Sequence, residues 1–318
     1  QYICLDIVLD RSKIMQEVEH LSKDLFVHFA HDIEILKSVW QKVAFDQQLS
    51  LRIGEQVHKL VVPQWSGVLG EKKTIVQSIE SYAVTAVDGS QIYYDKHQGV
   101  PCYVLNIGTA ALHYGVTKSS VYLHSKPSVF MLDYSEIDSV ETINLKRELY
   151  ELSQLYSYSK SVVEGIQNKE SYVALCDGSL LFFYVDVKNK KIKTAFFDKY
   201  IDILLRFYKE QIAIVGYISF PKSKEIINVL RLVAADFDER TALSMKVLST
   251  LVDVDVMKLY LQPGERTVLF QSKTTIISLY PDMVKPYFCY FHVGEEIVRL
   301  DFPRWIAEDD QHVDRICT

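Results

Sequence analysis

Two aspartates interrupt apolar runs in the same way, in Val87-Asp88-Gly89-Ser90-Gln91-Ile92 and in Cys176-Asp177-Gly178-Ser179-Leu180-Leu181. Asp-Gly-Ser is a common turn, with the aspartate bonding nearby backbone and the glycine accepting positive φ, so one copy signals only a loop. Two copies, each directly after a short strand-like run, point to chemistry, because a charge at a buried strand end is costly unless it is paired or bound to a cation. Carboxylates are hard oxygen ligands suited to magnesium or manganese. Two such ions ~4 Å apart activate a water and stabilise the leaving oxygen of a phosphodiester. Asp88 and Asp177 are therefore candidate catalytic and metal-binding residues, each expected to open a turn at a strand end.

A third carboxylate would come from the helical run between them. Over residues 143–166, Leu145, Leu149, Leu152, Tyr156 and Val163 share one face; Glu148 falls at the edge of that stripe and Glu151 just outside it. A solvated helix face is the plain alternative for either glutamate. Lys222, Lys224 and Arg231 lie where a strand-like run gives way to a helical one. A helix N-terminus favours phosphate, which makes them candidate phosphate contacts, with a basic helix surface as the alternative. His113, His124 and His292 sit in strand-like runs without a second histidine at ligand spacing, so they read as satisfied strand histidines rather than zinc ligands. The tyrosines mostly follow strand or helix periodicity and read as core or rim packing.

The elements that must position these residues are legible in outline. Ile14, Val18, Leu21, Leu25 and Phe29, then Ile33, Leu36, Trp40 and Val43, recur at spacings of three and four, so residues 1–80 are expected to form an N-terminal helical region. Residues 64–70 are a Pro/Gly break, after which 82–87 reads as a strand buried on both faces. Strands follow at 102–107, 110–114, 121–124 and 129–132, as an antiparallel meander. After the long helix come strands at 172–176 and 180–187, a helix at 197–209, a strand at 212–220 and a helix at 224–235. Residues 268–279 and 287–300 read as further strands. Meander, helix, strand, helix, strand, helix is the order of an α/β, ribonuclease H-like mixed sheet flanked by helices, here over residues 81–318.

Composition sets the outer limits. With 318 residues and 48% hydrophobic content the chain builds one large core or two modest ones. No apolar run approaches the ~20 residues of a membrane-spanning helix, so no membrane role is expected. The five cysteines, Cys4, Cys102, Cys176, Cys289 and Cys317, are odd in number and contain no Cys-x-x-Cys pair, which suits a reducing, cytoplasmic setting. A net charge of −6 excludes a protein that coats nucleic acid non-specifically. It does not exclude a DNA enzyme, whose acidic cluster and basic groove can be segregated. The chain starts at Gln1 and stops at Thr318, and reads as an ordered fragment of a longer one.

Several motifs in order resemble one family. Ala86-Val87-Asp88-Gly89-Ser90-Gln91-Ile92, Leu105-Asn106-Ile107-Gly108 and His113-Tyr114-Gly115 resemble the NurA nuclease domain. So do Leu175-Cys176-Asp177-Gly178-Ser179-Leu180, Val215-Gly216-Tyr217-Ile218, Pro221-Lys222-Ser223-Lys224, Val229-Leu230-Arg231 and Arg299-Leu300-Asp301-Phe302-Pro303-Arg304-Trp305. The likeness runs from about residue 84 to 310, and the ordered combination is far more specific than any single motif.

The resemblance implies a ribonuclease H-like fold and a homodimer enclosing a DNA channel. It also implies cleavage of DNA, single-stranded or at duplex ends, dependent on Mn2+ or Mg2+, in partnership with a HerA-like hexameric ATPase translocase in end resection, repair or defence. By position, Asp88 and Asp177 match the family's metal-binding aspartates, and its helix glutamate falls on Glu151, with Glu148 second. Members of the family usually end with a Gly-Tyr-Pro segment and an Ala-His pair whose histidine belongs to the active site; this sequence stops at Thr318 before any such segment, so either that tail was disordered or removed or the protein lacks this part of the machinery. Two competing classes remain. One is a non-catalytic DNA-binding or assembly subunit of a translocase complex. The other is an actin-like phosphotransferase, which lacks here the second glycine-rich phosphate loop it requires. An aspartic protease needs Gly third in its triplet, and here Gly is second.

Overall fold

In the computed structural model, which describes residues 11–54, 59–76, 81–94, 101–115, 119–132, 139–165, 171–182 and 190–318, with backbone only at 20–29 and 190–192, the N-terminal apolar spacing folds into α1 (Arg11–Val43) and α2 (Leu49–Gly54). Two short strands follow, β1 (Pro63–Trp65) and β2 (Lys72–Thr74), then three long ones, β3 (Tyr82–Ile92), β4 (Cys102–Tyr114) and β5 (Ser120–Met131). Next come α3 (Val140–Val163), β6 (Tyr172–Asp177), α4 (Lys190–Glu210), β7 (Ile214–Ile218), α5 (Glu225–Ala234), α6 (Glu239–Ser244) and α7 (Asp253–Tyr260). The chain closes with β8 (Glu265–Thr267), β9 (Phe270–Ser272), β10 (Pro286–His292), β11 (Ile297–Pro303), α8 (Arg304–Ala307) and α9 (Asp310–Cys317).

The strands form one sheet in the order β1-β9-β10-β11-β7-β6-β3-β4-β5, with β8 bridging β2 and β10. Within it, β3, β4 and β5 are an antiparallel meander, while β6 runs parallel to β3 and β7 parallel to β6. Three antiparallel strands extended by two parallel ones, with α3 and α4 as the crossovers, is the ribonuclease H-like core. One face of that core buries Ala83, Val87 and Ile107 against Leu145, Leu152 and Leu155 of α3 and Leu204 and Phe207 of α4. The other face of β5, the edge strand, exposes Val121, Leu123 and Val129.

Several sequence expectations are corrected. Residues 1–80 are not purely helical: β1 and β2 pair with β9 and β8, so the N-terminal region is stitched into the same sheet. The C-terminal half of α1 also packs Leu36 and Trp40 into one core with α5, α7, Phe270 and Phe288. Residues 102–114 are one strand and 120–131 another, because Gly108 stays in register opposite Asp88. Pro127 is tolerated on the edge strand, where a missing N–H faces solvent rather than a neighbour. Leu180, Leu181 and Phe182 are buried but not in a strand, and 183–187 lies outside the described residues. Residues 268–279 hold only the three-residue β9 before a 3-10 turn over Thr275–Leu279. Residues 287–300 split into the β10–β11 hairpin, turned at Gly294 with φ 111°.

Among the described residues, no helix is long and apolar enough to cross a membrane. Cys102, Cys176, Cys289 and Cys317 are free thiols, and Cys4 lies outside the described residues.

Candidate active site

Strand alternation aims the two aspartates. On β3, Ala83, Thr85 and Val87 point into the core beneath α3, so Asp88 points to the opposite face. The parallel register pairs Val87 with Cys176. One step further, Asp88 and Asp177 stand on neighbouring strands facing the same way. Both are exposed and line a groove of about 680 Å³ together with Ser90, Asn106, Gly108 and Ser125. Among the described residues, neither carboxylate makes a hydrogen bond or an ion pair. The Ala86, Gly108 and Ala110 side chains in that groove are small, which leaves the sheet surface open beside the acids.

The two triplets are not alike in backbone. Asp88-Gly89-Ser90 lies inside β3, with Asp88 opposite Gly108 and Ser90 opposite Asn106, so the turn expected there is absent. Its glycine is needed for a different reason: a side chain at 89 would overlap Glu151 Oε1 and approach Arg147 Cγ to 2.9 Å. The second triplet does turn. Gly178 has φ 106°, and its N–H donates to the Tyr217 carbonyl at 2.9 Å. The turn crosses over Gly216, where a Cβ would come 2.6 Å from the Gly178 oxygen.

Glu151 reaches the end of β3 from the α3 side, the face opposite the groove. Arg147 Nη1 donates to the Gly89 carbonyl at 2.8 Å and lies 3.4 Å from Glu151 Oε1. That oxygen is buried and accepts no hydrogen bond. Burial pushes the Glu151 carboxyl up to about 7, against the lowering influence of Arg147 and reinforced by the negative charges of Asp88, Glu148 and Asp177. Burial outweighs the arginine because the ion pair is long and supplies no acceptor bond. Glu148, one turn earlier on α3, acts electrostatically on the same carboxyl.

The structure thus brings Asp88 and Asp177 together and sets Glu151 behind them. Among the described residues, no three His, Cys, Asp or Glu side chains gather closely enough to form a coordination sphere as they stand. Asp88 and Asp177, hard oxygen donors in one groove with no partner among the described residues, fit a divalent cation, and Glu151 Oε1, buried and without a hydrogen bond, approaches them from the α3 side of β3.

The expected phosphate contacts fare differently. Lys222 is exposed. Lys224 Nζ donates to the Ser249 carbonyl at 2.6 Å, and Arg231 Nη2 donates to the carbonyls of Ala242 at 2.7 Å and Met245 at 3.2 Å. Both cations are spent on holding the chain after α5. The N-terminus of α5 is likewise taken, since buried Asp253 accepts from the Glu225 and Ile227 N–H groups at 3.0 and 2.9 Å. His124 lines the groove, stacked on Tyr122 with centroids 6.0 Å apart, and His292 Nδ1 accepts from the Gly294 N–H at 3.2 Å.

One group went unread. Asp301, wholly buried on β11, accepts from Ser179 Oγ at 2.5 Å and from the Leu180 N–H at 3.1 Å, directly after Asp177. A signal was present in Arg299-Leu300-Asp301. Opposite charges two residues apart share one face of a strand that is otherwise apolar, and such charges are buried only in pairs.

The NurA domain model matches residues 82–317. The chain belongs to the NurA family. This NurA domain therefore covers every strand of the ribonuclease H-like core and all three candidate acids, and it places the chain in a nuclease family. No curated protein matches the sequence. Among solved structures, "Crystal structure of NurA with manganese" is similar at 11% identity and a TM-score of 0.40, over 90% of this chain and 87% of that one. "Crystal structure of NurA bound to dAMP and manganese" is similar at 13% identity and a TM-score of 0.36, over 90% of this chain and 86% of that one. "T. thermophilus RuvC in complex with Holliday junction substrate" shares 10% identity at a TM-score of 0.20, over 56% of this chain and 95% of that one. The strand order and the family match, not these distant likenesses, carry the assignment.

Proposed function

We propose that this NurA domain is a divalent-metal-dependent deoxyribonuclease, with exonuclease and single-strand endonuclease activity, working as a cytoplasmic homodimer with a HerA-like hexameric translocase on DNA ends. One observation carries the catalytic reading: Asp88 and Asp177 project into one open groove from matching positions of the parallel strands β3 and β6 of a family-matched fold, with no hydrogen bond or ion pair among the described residues. Two like charges at adjacent strand positions repel, and a cation bound between them removes that repulsion.

Asp88, Asp177 and Glu151 would hold Mn2+ or Mg2+. Bound there, the ion supplies Lewis acidity at the scissile phosphate and lowers the pKa of an attacking water. The chain's own groups do the remainder. The small side chains around Gly108 admit a sugar-phosphate strand to the groove. Glu151 Oε1, without a hydrogen bond and with its carboxyl near neutrality, is a site for holding or releasing a proton as the negative charge nearby changes. Hydrolysis forms a bond from the water oxygen to phosphorus and breaks one phosphodiester P–O bond, whose oxygen leaves carrying a proton. Lys222 is the remaining candidate for a phosphate contact.

The test is cleavage of linear duplex and single-stranded DNA with Mn2+, with EDTA, and by Asp88→Asn and Asp177→Asn. Metal-dependent cleavage abolished in both variants supports the reading; cleavage that survives either variant sinks it. A second reading, a non-catalytic DNA-binding or assembly subunit, is favoured by the approach of Glu151 from the α3 side of β3, the face opposite the groove that Asp88 and Asp177 line. It predicts DNA or translocase binding with no cleavage under any metal.

A further inference from the structure

We propose that Asp301 is a positioning residue. Locked by Arg299, it sets the turn after Asp177 and so fixes where that carboxylate points. This deepens the nuclease reading and rests on it only for the importance of Asp177.

Asp301 has no exposed surface, and both its oxygens are committed. Oδ1 accepts from Arg299 Nε at 2.8 Å; Oδ2 accepts from Ser179 Oγ at 2.5 Å and the Leu180 N–H at 3.1 Å. The arginine is fixed in turn. Its Nη1 donates to Ser223 Oγ and to Glu225 Oε1, each at 3.0 Å, and its guanidinium lies 3.7 Å from the centre of the Phe288 ring.

The turn needs such a fixture. Beyond Asp177 the backbone leaves the sheet, and Gly178, in the left-handed region, donates its N–H across to the Tyr217 carbonyl. Asp301 is the register partner of Gly216 on β7, and its Cβ lies 3.1 Å from where a Cβ at 216 would be. Because Gly216 has no side chain, the Asp301 carboxylate reaches past β7 to the underside of a turn attached to the next strand, β6. Stability alone does not explain a buried Arg–Asp pair, since a hydrophobic pair of like volume is often as stabilising. A hydrophobic pair could not accept from Ser179 Oγ and the Leu180 N–H. Hydrogen bonds to a carboxylate are roughly twice as strong as neutral ones, and a low-dielectric surrounding strengthens them further. The same guanidinium, through Ser223 and Glu225, ties down the loop that carries Lys222.

The test compares wild type, Asp301→Asn, Ser179→Ala and Ser179→Thr in three readouts. These are Mn2+ binding to the DNA-free protein by calorimetry, hydrogen exchange of the Leu180 amide, and cleavage as a function of Mn2+ and of DNA. Asp301→Asn is expected to weaken Mn2+ binding and raise the half-maximal Mn2+ about tenfold, with faster Leu180 exchange and an unchanged KM for DNA. Ser179→Ala shows a smaller effect of the same kind, and Ser179→Thr restores it. If Asp301→Asn does not fold, the Ser179 pair carries the comparison. Unchanged Mn2+ binding and Leu180 exchange in the folded variants overturn the proposal. So does a loss spread equally over Mn2+ and DNA that Ser179→Thr does not restore. A wild type that binds Mn2+ but cleaves nothing defeats the nuclease reading alone, leaving the binding and exchange measurements to decide this one.

Discussion

Asp88 and Asp177 occupy matching positions on two parallel strands, one step past the Val87–Cys176 register pair, and line the same groove. Neither is tied to the protein by a hydrogen bond or ion pair among the described residues. Each can therefore be changed with little effect on folding. Asp88→Asn and Asp177→Asn are expected to leave the unfolding midpoint within about 0.5 kcal/mol of wild type. Cleavage with Mn2+ should fall roughly a thousandfold, the loss of ~4 kcal/mol of transition-state stabilisation. Denaturation curves beside initial rates check both halves.

Glu151 makes stability depend on pH. Its carboxyl sits at about 7 in the folded chain, raised first by burial, against 4.5 for an ordinary glutamate in the unfolded one. The folded state therefore holds a proton that the unfolded state gives up, and stability is highest below about 4.5 and lost as pH rises through about 7. In metal-free protein, Glu151→Gln is expected to raise the unfolding midpoint at pH 8 by up to a few kcal/mol and to leave it unchanged near pH 4. Equal midpoints at pH 8 would show that ionising Glu151 in the folded chain carries no burial cost.

Two glycines separate site geometry from stability. Gly89→Ala collides with the ends of flexible side chains, Glu151 Oε1 and Arg147, which can shift. It should displace Glu151 and reduce cleavage about tenfold at a cost under ~1 kcal/mol. Gly216→Ala meets backbone, the Gly178 oxygen at 2.6 Å and the Leu180 nitrogen at 3.1 Å. It should destabilise by ~1–3 kcal/mol and reduce cleavage as well. Similar stabilities for the two variants would contradict the packing described.

Lys222 and Arg231 differ in role. Lys222→Ala should lower the slope of log affinity against log salt for DNA by about one, as loss of one phosphate contact requires. Arg231→Ala should leave that slope unchanged while lowering stability by ~1–3 kcal/mol, because the carbonyls of Ala242 and Met245 lose their donor. Binding isotherms at several salt concentrations discriminate between the two.

Much of the fold was legible because periodicity reports which face of an element is buried. The spacing of Leu145, Leu152 and Leu155 marks α3, and the β-branched run before Asp88 marks β3. Asp88 and Asp177 stood out as charges at the ends of such runs, and Glu151 as the acid beside the stripe. Lys224 and Arg231 bond to carbonyls well along the chain, Ser249 for one and Ala242 and Met245 for the other, and no local pattern reports such partners. Asp301 was missed for the same reason, since its partner turn is on β6 and its own strand is β11.

By itself, then, the order of residues determined the long helices and strands of the core, such as α3, β3 and β6, and it singled out Asp88, Asp177 and Glu151 by type and position. The tertiary structure alone decided that Asp88 lies within a strand while Asp177 opens a turn, that β1 and β2 join the far side of the sheet, and that a buried Arg299–Asp301 pair underlies the site. Alternation and helical spacing are local properties written every two to four residues. Register, crossover and the satisfaction of a buried charge depend on groups that meet only when distant strands are laid side by side.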